Sequence, residues 1–443
     1  MGLALVTRLV PIPQQASKME LSRLPGFREF FPSDMRIRTH ILQGWRRVAE
    51  RYGFEEYDGP PLEPLDLYVR KSGREIVGQL YAFTDKGGRD VALRPEMTPT
   101  FARMVGARAA SLPKPIRWYS MPQVFRYERP QKGRLREHFQ LNMDIVGESG
   151  EMADAELIAA AIDVVREFGL GEQDIVVRVS DRRLIATVLL GLGLPEAGLE
   201  DALAAIDHLD KEEASVLRER LATAGAPDSA IDRILSLAAD PAPSLDAFIE
   251  TFDKDSEVEM AAGSLRLIID HLEAIGLGGF VRFDPTLVRG LAYYTGTVFE
   301  IWDRAGEFRA ICGGGRYDGL LSAIGGPDLP ALGFGMGDVV LAELLAARRV
   351  LPNAEATVQD FLICVTTEQR PVMLRVAHKL RDAGRSVVFD FSDRSVSRQF
   401  KAANQAGARR AIVIGPDEMS EGVVLVRDLK SGEEQRIAID DLS

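Results

Sequence analysis

The chain has 443 residues, 46% of them hydrophobic and 27% charged, which excludes a disordered or fibrous protein and allows about two to three globular domains. A formal net charge of −12 argues against indiscriminate nucleic-acid binding while leaving room for local basic patches. Two distant cysteines, Cys312 and Cys364, form neither a disulfide framework nor a metal-ligand spacing and fit a reducing, cytoplasmic compartment. No apolar run approaches the length of a membrane span.

Residues 1–23 read as a loose extension, with no signal-peptide cleavage pattern after Met1 to Val10. Beyond an irregular lead-in, Ser33 and Asp34 are placed to cap a helix whose apolar stripe is Ile41, Trp45, Val48 and Tyr52. That helix ends at Gly53 and feeds a strand from Phe54 to Tyr57, stopped by Pro60-Pro61. Leu80 to Thr84 and Val91 to Arg94 form a hairpin that delivers Glu96 and Thr98 to the start of a helix. There the carboxylate and hydroxyl can hold an ammonium group, or Thr98 can simply cap the helix.

Phe125 to Gly147 is the stretch around which the chain is organised. Alternation puts Val124, Arg126 and Glu128 on one face of a first strand, and Phe125 and Tyr127 on the other. In a second strand Leu141, Met143 and Ile145 face one way, and Gln140, Asn142 and Asp144 the other. Between them Arg129 to Arg134 forms a basic turn. The pair suits a ligand with phosphates at one end and an amine at the other; an ordinary hairpin with one solvated face is the alternative.

An Ala-rich helix from Glu151 to Phe168 and a strand from Ile175 to Val179 follow. Residues 182–265 read as a helical insertion without chemistry of its own. Strand character resumes at Phe280 to Asp284, and Arg289 with Tyr293 and Tyr294 puts a guanidinium and two phenols around one spot. Cys312 to Leu320 is glycine-rich and allows a backbone to approach a bound group closely. Leu332 to Asp338 brings glycines to a helix N-terminus, where phosphate can be cradled. Residues 352–358 make a linker. Beyond it, α/β alternation over 359–443 gives a small domain of mostly parallel type. Within that domain, Arg370 to Arg410 carries ten Arg/Lys against three Asp, a candidate nucleic-acid footprint.

Four marks in order give a resemblance: Leu93-Arg94-Pro95-Glu96; the run from Phe125 to Gln131; Arg289-Gly290-Leu291 with Tyr293-Tyr294; and Gly314 to Leu320. With them the chain resembles the histidyl-tRNA synthetases, a family of class II aminoacyl-tRNA synthetases, over nearly its whole length. The resemblance implies an α+β fold. An antiparallel-sheet catalytic domain (24–181 and 266–351) would be interrupted by the helical insertion, then followed by an α/β anticodon-binding domain. It implies an enzyme that activates histidine with ATP to histidyl-adenylate and transfers it to the 3′ end of histidine tRNA. Mg²⁺ would accompany ATP without dedicated protein ligands, and a second copy of the chain would complete a homodimer.

By the same resemblance Arg126 and Arg289 are catalytic, meeting the α-phosphate from opposite sides. Glu128 orients the adenine, Arg134 takes the distal phosphates, and either His138 or Phe139 stacks on the base. Glu96, Thr98, Gln140 and Asp144 surround the histidine α-amino group and its approach, and Tyr293 and Tyr294 line the imidazole pocket. The chain departs from the family pattern in three places. Ala292 stands where Asp is common, Asp144 where many members have Glu, and Val340 where the third motif places a phosphate-binding arginine. A non-catalytic histidine-sensing paralogue, the regulatory subunit of ATP phosphoribosyltransferase, resembles the same core. The complete C-terminal domain and the retention of Arg126 and Arg289 favour the enzyme.

Overall fold

The computed structural model describes residues 22–69, 78–209, 212–239, 244–252, 255–289, 293–352 and 358–442. The expected N-terminal extension and linker fall almost entirely outside these residues, as do Gly290, Leu291 and Ala292. Two compact units are present, a larger one built on the segment up to Glu29 with Arg38–Leu351, and a smaller one on Phe30–Ile37 with Pro352–Ser443.

In the larger unit, to which it belongs from Arg38 on, helix α1 (Pro32–Arg51) buries Ile41, Gly44, Trp45, Val48 and Ala49 along one stripe. It starts at Pro32, ahead of Ser33 and Asp34, so neither is its cap. The Asp34 carboxylate instead reaches back to accept from the Phe31 amide at 3.1 Å, and proline presets the first helical φ. The strands up to the centre are β1 (Glu55–Glu56), β2 (Leu62–Pro64), β3 (Ala82–Thr84), β4 (Asp90–Leu93), β5 (Ile116–Ser120), β6 (Gln123–Phe125) and β7 (Glu137–Val146). After them come β8 (Ile175–Asp181), β9 (Val281–Phe283), β10 (Thr297–Asp303), β11 (Cys312–Arg316) and β12 (Ala331–Gly337).

Among the described residues the main sheet runs β1-β5-β7-β12-β11-β10-β8-β9, with β6 continuing the β5 edge of β7. Its centre is antiparallel and the edge pairs β1–β5 and β8–β9 are parallel. Strands β2, β4 and β3 form a separate small sheet; the expected hairpin is β3–β4, and β2 adds to it beyond Pro60-Pro61.

The stretch from Phe125 to Gly147 is no half-solvated hairpin: β7 lies between β5 and β12, and Leu141 to Val146 are all buried. The assigned strand ends at Phe125, but the Arg126 amide still donates to the Arg136 carbonyl at 3.0 Å and the face alternation continues: Arg126 and Glu128 line one cavity, while Phe125 and Tyr127 turn to the rings of Phe27 and Tyr81. The glycine-rich runs are central strands, β11 and β12, and Gly337 at the end of β12 stands at the cap position of the helix expected to follow it. Glycine is a poor strand former unless something else needs its space, and each of these glycines faces a side chain from a neighbouring element.

Helix α2 (Thr98–Arg108) follows β4, and α3 (Glu151–Arg166) is buried on most sides between the sheet and a long insertion helix. The insertion comprises α4 (Arg182–Gly191), α5 (Leu199–Ile206), α6 (Ala214–Thr223), α7 (Asp228–Ala239), α8 (Leu245–Glu250) and α9 (Ser256–Ala274). Helix α9 runs on through residue 265. Helix α10 (Asp338–Ala347) closes the unit.

The smaller unit has β13 (Asp360–Cys364), α11 (Arg370–Asp382), β14 (Val387–Phe389), α12 (Val396–Gln405), β15 (Arg410–Ile414), α13 (Pro416–Ser420), β16 (Val423–Asp428) and β17 (Glu434–Ala438). Its sheet runs β14-β13-β15-β16-β17. Only the pairs of β13 with β14 and β15 are parallel, so the sheet is mixed and not mostly parallel. The connection from Ile414 to Val423 is too short for a crossover, which forces β16 back antiparallel. Period-2 alternation sends Phe361 and Ile363 toward Ala403 of α12, and Leu362 toward Val376 and Leu380 of α11.

Candidate active site

A cavity of about 790 Å³ opens on the sheet, with β7, β10, β11 and β12 contributing to its walls. Glu96 and Thr98 reach it from the junction of β4 and α2. Thr98 is the first residue of α2, and the cap position belongs to Met97 without a side-chain bond, so Thr98 is not the helix cap. Tyr293 donates its hydroxyl to Glu96 Oε2 at 2.9 Å, whereas Glu96 Oε1 is buried and has no partner. Burial raises the Glu96 pKa above the usual carboxylate value, while the Arg126 charge, the Tyr293 hydrogen bond and the Arg289 charge oppose the rise. Burial, with Glu96 and Tyr294 nearby, keeps the Tyr293 phenol protonated.

Both expected arginines line this one cavity. Arg126 Nε donates to the Pro95 carbonyl at 3.0 Å. Arg289 is held more elaborately. Its backbone is left-handed (φ 53°), a costly conformation for a residue with a Cβ. Arg182, the first residue of the insertion, donates to the carbonyls of Val288 and Arg289, both at 3.1 Å, and fixes that turn. Arg289 Nη1 donates to Glu300 Oε1 at 2.6 Å, and Trp302 Nε1 holds the other Glu300 oxygen at 2.9 Å. Gly313 stands directly across from Glu300 in the β10–β11 register, and its missing side chain is the space the Arg289 guanidinium occupies. The Tyr294 ring lies 5.6 Å from that guanidinium, a cation–π distance.

On β7, His138, Gln140 and Asn142 line the cavity. Burial, then the charges of Arg126 and Arg28, pull the His138 imidazole down to about 3, so the ring is neutral. Phe139 is corrected off the site. It points to the other face of the strand, where Arg38 sits 4.7 Å above its ring, and its amide donates to Asp338 Oδ1 at 2.9 Å. Asp144 is also not a wall residue. It lies beneath Gly333, accepts the Tyr317 hydroxyl on Oδ1, and leaves Oδ2 buried without a partner; Tyr317 is the residue that lines the cavity there. Burial pushes the Asp144 carboxyl up to about 7, with the Tyr317 hydrogen bond opposing.

Glu128 and Arg134 both line the cavity but are ion-paired to each other, so the carboxylate and the cation expected at opposite ends of a nucleotide meet. The Arg134 turn closes through Gly133, whose φ of 71° suits a residue without a Cβ. Val340, on α10, contributes apolar surface to the wall.

Several wall residues carried no local signal. Glu300 and Trp302 alternate on an ordinary apolar strand, and only the β10–β11 register places them at Arg289. Ile206, Asp207, His208 and Leu209 come from the insertion, at and beyond the end of α5, and reach the same cavity. The insertion therefore shapes the site that its composition concealed. In the smaller unit Phe391 is 91% exposed, with its ring 5.3 Å from Phe389. Part of the basic span there is neutralised internally, Arg385 and Arg410 both pairing with the buried Asp360.

An antiparallel sheet with one charged cavity on its face, a strand-loop-strand motif supplying the first arginine and a late glycine-rich strand pair framing the second is the architecture of the class II aminoacyl-tRNA synthetases. The sequence model of the histidyl-tRNA synthetases matches residues 26–338, and that of an anticodon-binding domain matches residues 359–443. The chain belongs to the histidyl-tRNA synthetase family. It is 45% identical to the histidine–tRNA ligase of Opitutus terrae over 92% of this chain and 93% of that one. The chloroplastic/mitochondrial histidine–tRNA ligase of Arabidopsis thaliana is 38% identical over 99% of this chain and 89% of its own length. The crystal structure of histidyl-tRNA synthetase from Nostoc superposes with a TM-score of 0.79 at 26% identity, covering 96% of this chain and 98% of that one.

Proposed function

We propose that the protein is a histidine–tRNA ligase, and that Arg126 and Arg289 bind one phosphate between them. The observation that carries this reading is that both guanidinium groups line a single cavity and both act electrostatically on the buried Glu96 carboxylate. Glu96 Oε1 receives the ammonium of histidine, with Thr98 and Gln140 beside it. A carboxylate oxygen of histidine attacks the α-phosphorus of ATP, the bond from that phosphorus to the bridging oxygen breaks, and pyrophosphate leaves. Charge grows on the α-phosphate oxygens as this happens, and two fixed guanidinium groups in a partly buried site stabilise it. The neutral ring of His138 offers a flat face to adenine, and Tyr293 and Tyr294 frame the imidazole. A ribose hydroxyl at the 3′ end of the tRNA then attacks the histidyl carbonyl carbon, and AMP leaves.

Glu128 releases Arg134 when ATP enters, which frees a carboxylate for the adenine side and a cation for phosphate. Mg²⁺ would accompany the triphosphate and neutralise part of its charge, and Glu128, which lines the cavity and has one buried oxygen without a partner, could help hold it. The smaller unit holds the anticodon, and its match to an anticodon-binding domain supports the ligase over a histidine-sensing regulatory paralogue. The same reading expects a homodimer working in the cytoplasm. Among the described residues no helix is long and apolar enough to cross a membrane.

Histidine-dependent ATP–pyrophosphate exchange, followed by charging of a histidine tRNA transcript, tests the proposal. Both activities are expected. Histidine binding by calorimetry with neither activity would overturn the ligase in favour of a sensor.

A further inference from the structure

The triphosphate of ATP brings about four negative charges into the cavity, and the cations already there are largely committed. Arg126 donates to Pro95, Arg289 to Glu300, Arg134 pairs with Glu128, and Arg178 lies between Asp284 and the Trp302 ring. Arg309 is the exception. It lines the same cavity from the loop between β10 and β11, it is exposed, and among the described residues it has no hydrogen-bond or ion-pair partner. It lies beside the basic turn and helix α10. A β carbon built on Gly133 would meet Val340 Cγ2 at 3.5 Å, Arg309 Cδ at 3.7 Å and Glu343 Oε2 at 3.8 Å, so the basic turn, helix α10 and Arg309 converge on one point. The neighbouring Lys132 Nζ sits 4.9 Å from the Phe308 ring, a second contact that joins the turn to this loop. Val340 offers only methyl groups at that point, beside an unpaired guanidinium long enough to cover the same space.

We propose that Arg309 binds the terminal phosphates of ATP, a role carried by the β10–β11 loop in place of helix α10. The proposal rests on the reading of the cavity as an ATP site. Arg126 and Arg289 serve the α-phosphate, where the bond breaks. Arg309 serves the β- and γ-phosphates, and holds the pyrophosphate as it departs. Its contribution therefore ends once the adenylate has formed.

That order of events supplies the test. Full-length Arg309→Ala and Arg309→Lys are compared with the wild-type chain in histidine-dependent ATP–pyrophosphate exchange. For Arg309→Ala the KM for ATP rises about tenfold or more, the usual effect of losing a charge-assisted phosphate contact. The KM for histidine and the inhibition constant of AMP, which lacks the distal phosphates, stay within about twofold of wild type. Single-turnover transfer from preformed enzyme-bound histidyl-adenylate to tRNA keeps its wild-type rate, and Arg309→Lys recovers part of the lost ATP affinity. An unchanged KM for ATP in Arg309→Ala overturns the proposal. So does a loss shared equally by AMP binding or by the transfer step, because that would mark a general disturbance of the site. Absence of exchange in the wild-type chain would instead bring down the ligase reading, and this proposal with it.

Discussion

The guanidinium of Arg289 packs directly on Gly313: a β carbon at residue 313 would stand 1.7 Å from Arg289 Nη1 and 2.5 Å from its Cζ. This glycine, the second residue of β11, is thus the seat of a side chain from another element. Gly313→Ala should displace Arg289 while leaving the strand paired. The expected result is a fall of about 10²- to 10³-fold in exchange kcat, the scale seen when one transition-state donor is lost. Gly319→Ala, where an added carbon meets nothing within 4 Å, should behave as wild type. Exchange rates with melting curves for both variants check this.

Glu96 presents one buried oxygen already held by Tyr293 and one with no partner. Glu96→Gln keeps the shape and removes the charge that would meet an ammonium group. Its KM for histidine should rise about 30-fold or more, as for truncation of one member of a buried charge pair. The KM for ATP should change far less. Exchange kinetics with each substrate varied in turn distinguish this from a general loss.

Asp144 gives a pH signature. Its folded pKa of about 7 lies above the usual unfolded carboxylate value near ~4, so between those limits the native state keeps a proton that the unfolded chain has lost. Stability is therefore highest below the unfolded value, falls as pH rises through the folded one, and levels off above it. Asp144→Asn, which still accepts from Tyr317, should match wild type near pH 4. At pH 8 it should be more stable, by up to about 4 kcal/mol for a three-unit difference. Thermal melts at both pH values measure it.

Arg316 was one of the marks of the family resemblance, yet it faces away from the cavity chemistry. It pairs with Asp154 of α3, with Nε 3.2 Å from Oδ1, and donates to the carbonyls of Glu148 at 3.0 Å and Gly150 at 3.3 Å. Both side chains of the pair are about 95% buried, at 4% and 5% exposure. Arg316→Met should cost about 3–5 kcal/mol of stability by leaving Asp154 uncompensated. Substrate KM values of the folded fraction should be unchanged, as denaturant titration and exchange kinetics would reveal.

Much of this site was legible because short strands carry their chemistry locally. Arg126, Glu128 and Gln140 sit within one strand-loop-strand, and Tyr293 and Tyr294 follow Arg289 in the chain. What escaped depended on register and on contacts between distant segments. The glycines of β11 and β12 carried no strand signal, because a strand rarely keeps so many residues without side chains. Gly313 makes room for Arg289, Gly315 for Tyr294, and Gly335 for Gln140, none of which is a neighbour in sequence. Whether His138 or Phe139 faces the cavity depended on which side of β7 the cavity lies. The residues after α5 gave no sign of a site because their role comes only from where the insertion folds back.

The central claim is that the guanidinium groups of Arg126 and Arg289 share one phosphate. A crystal structure with a non-hydrolysable sulfamoyl analogue of histidyl-adenylate tests it most directly. The account predicts sulfamoyl oxygens within about 3 Å of guanidinium nitrogens from both residues, a hydrogen-bond distance. It is contradicted if the analogue binds elsewhere, or if either arginine remains engaged only with Pro95 or Glu300 and makes no contact with the group.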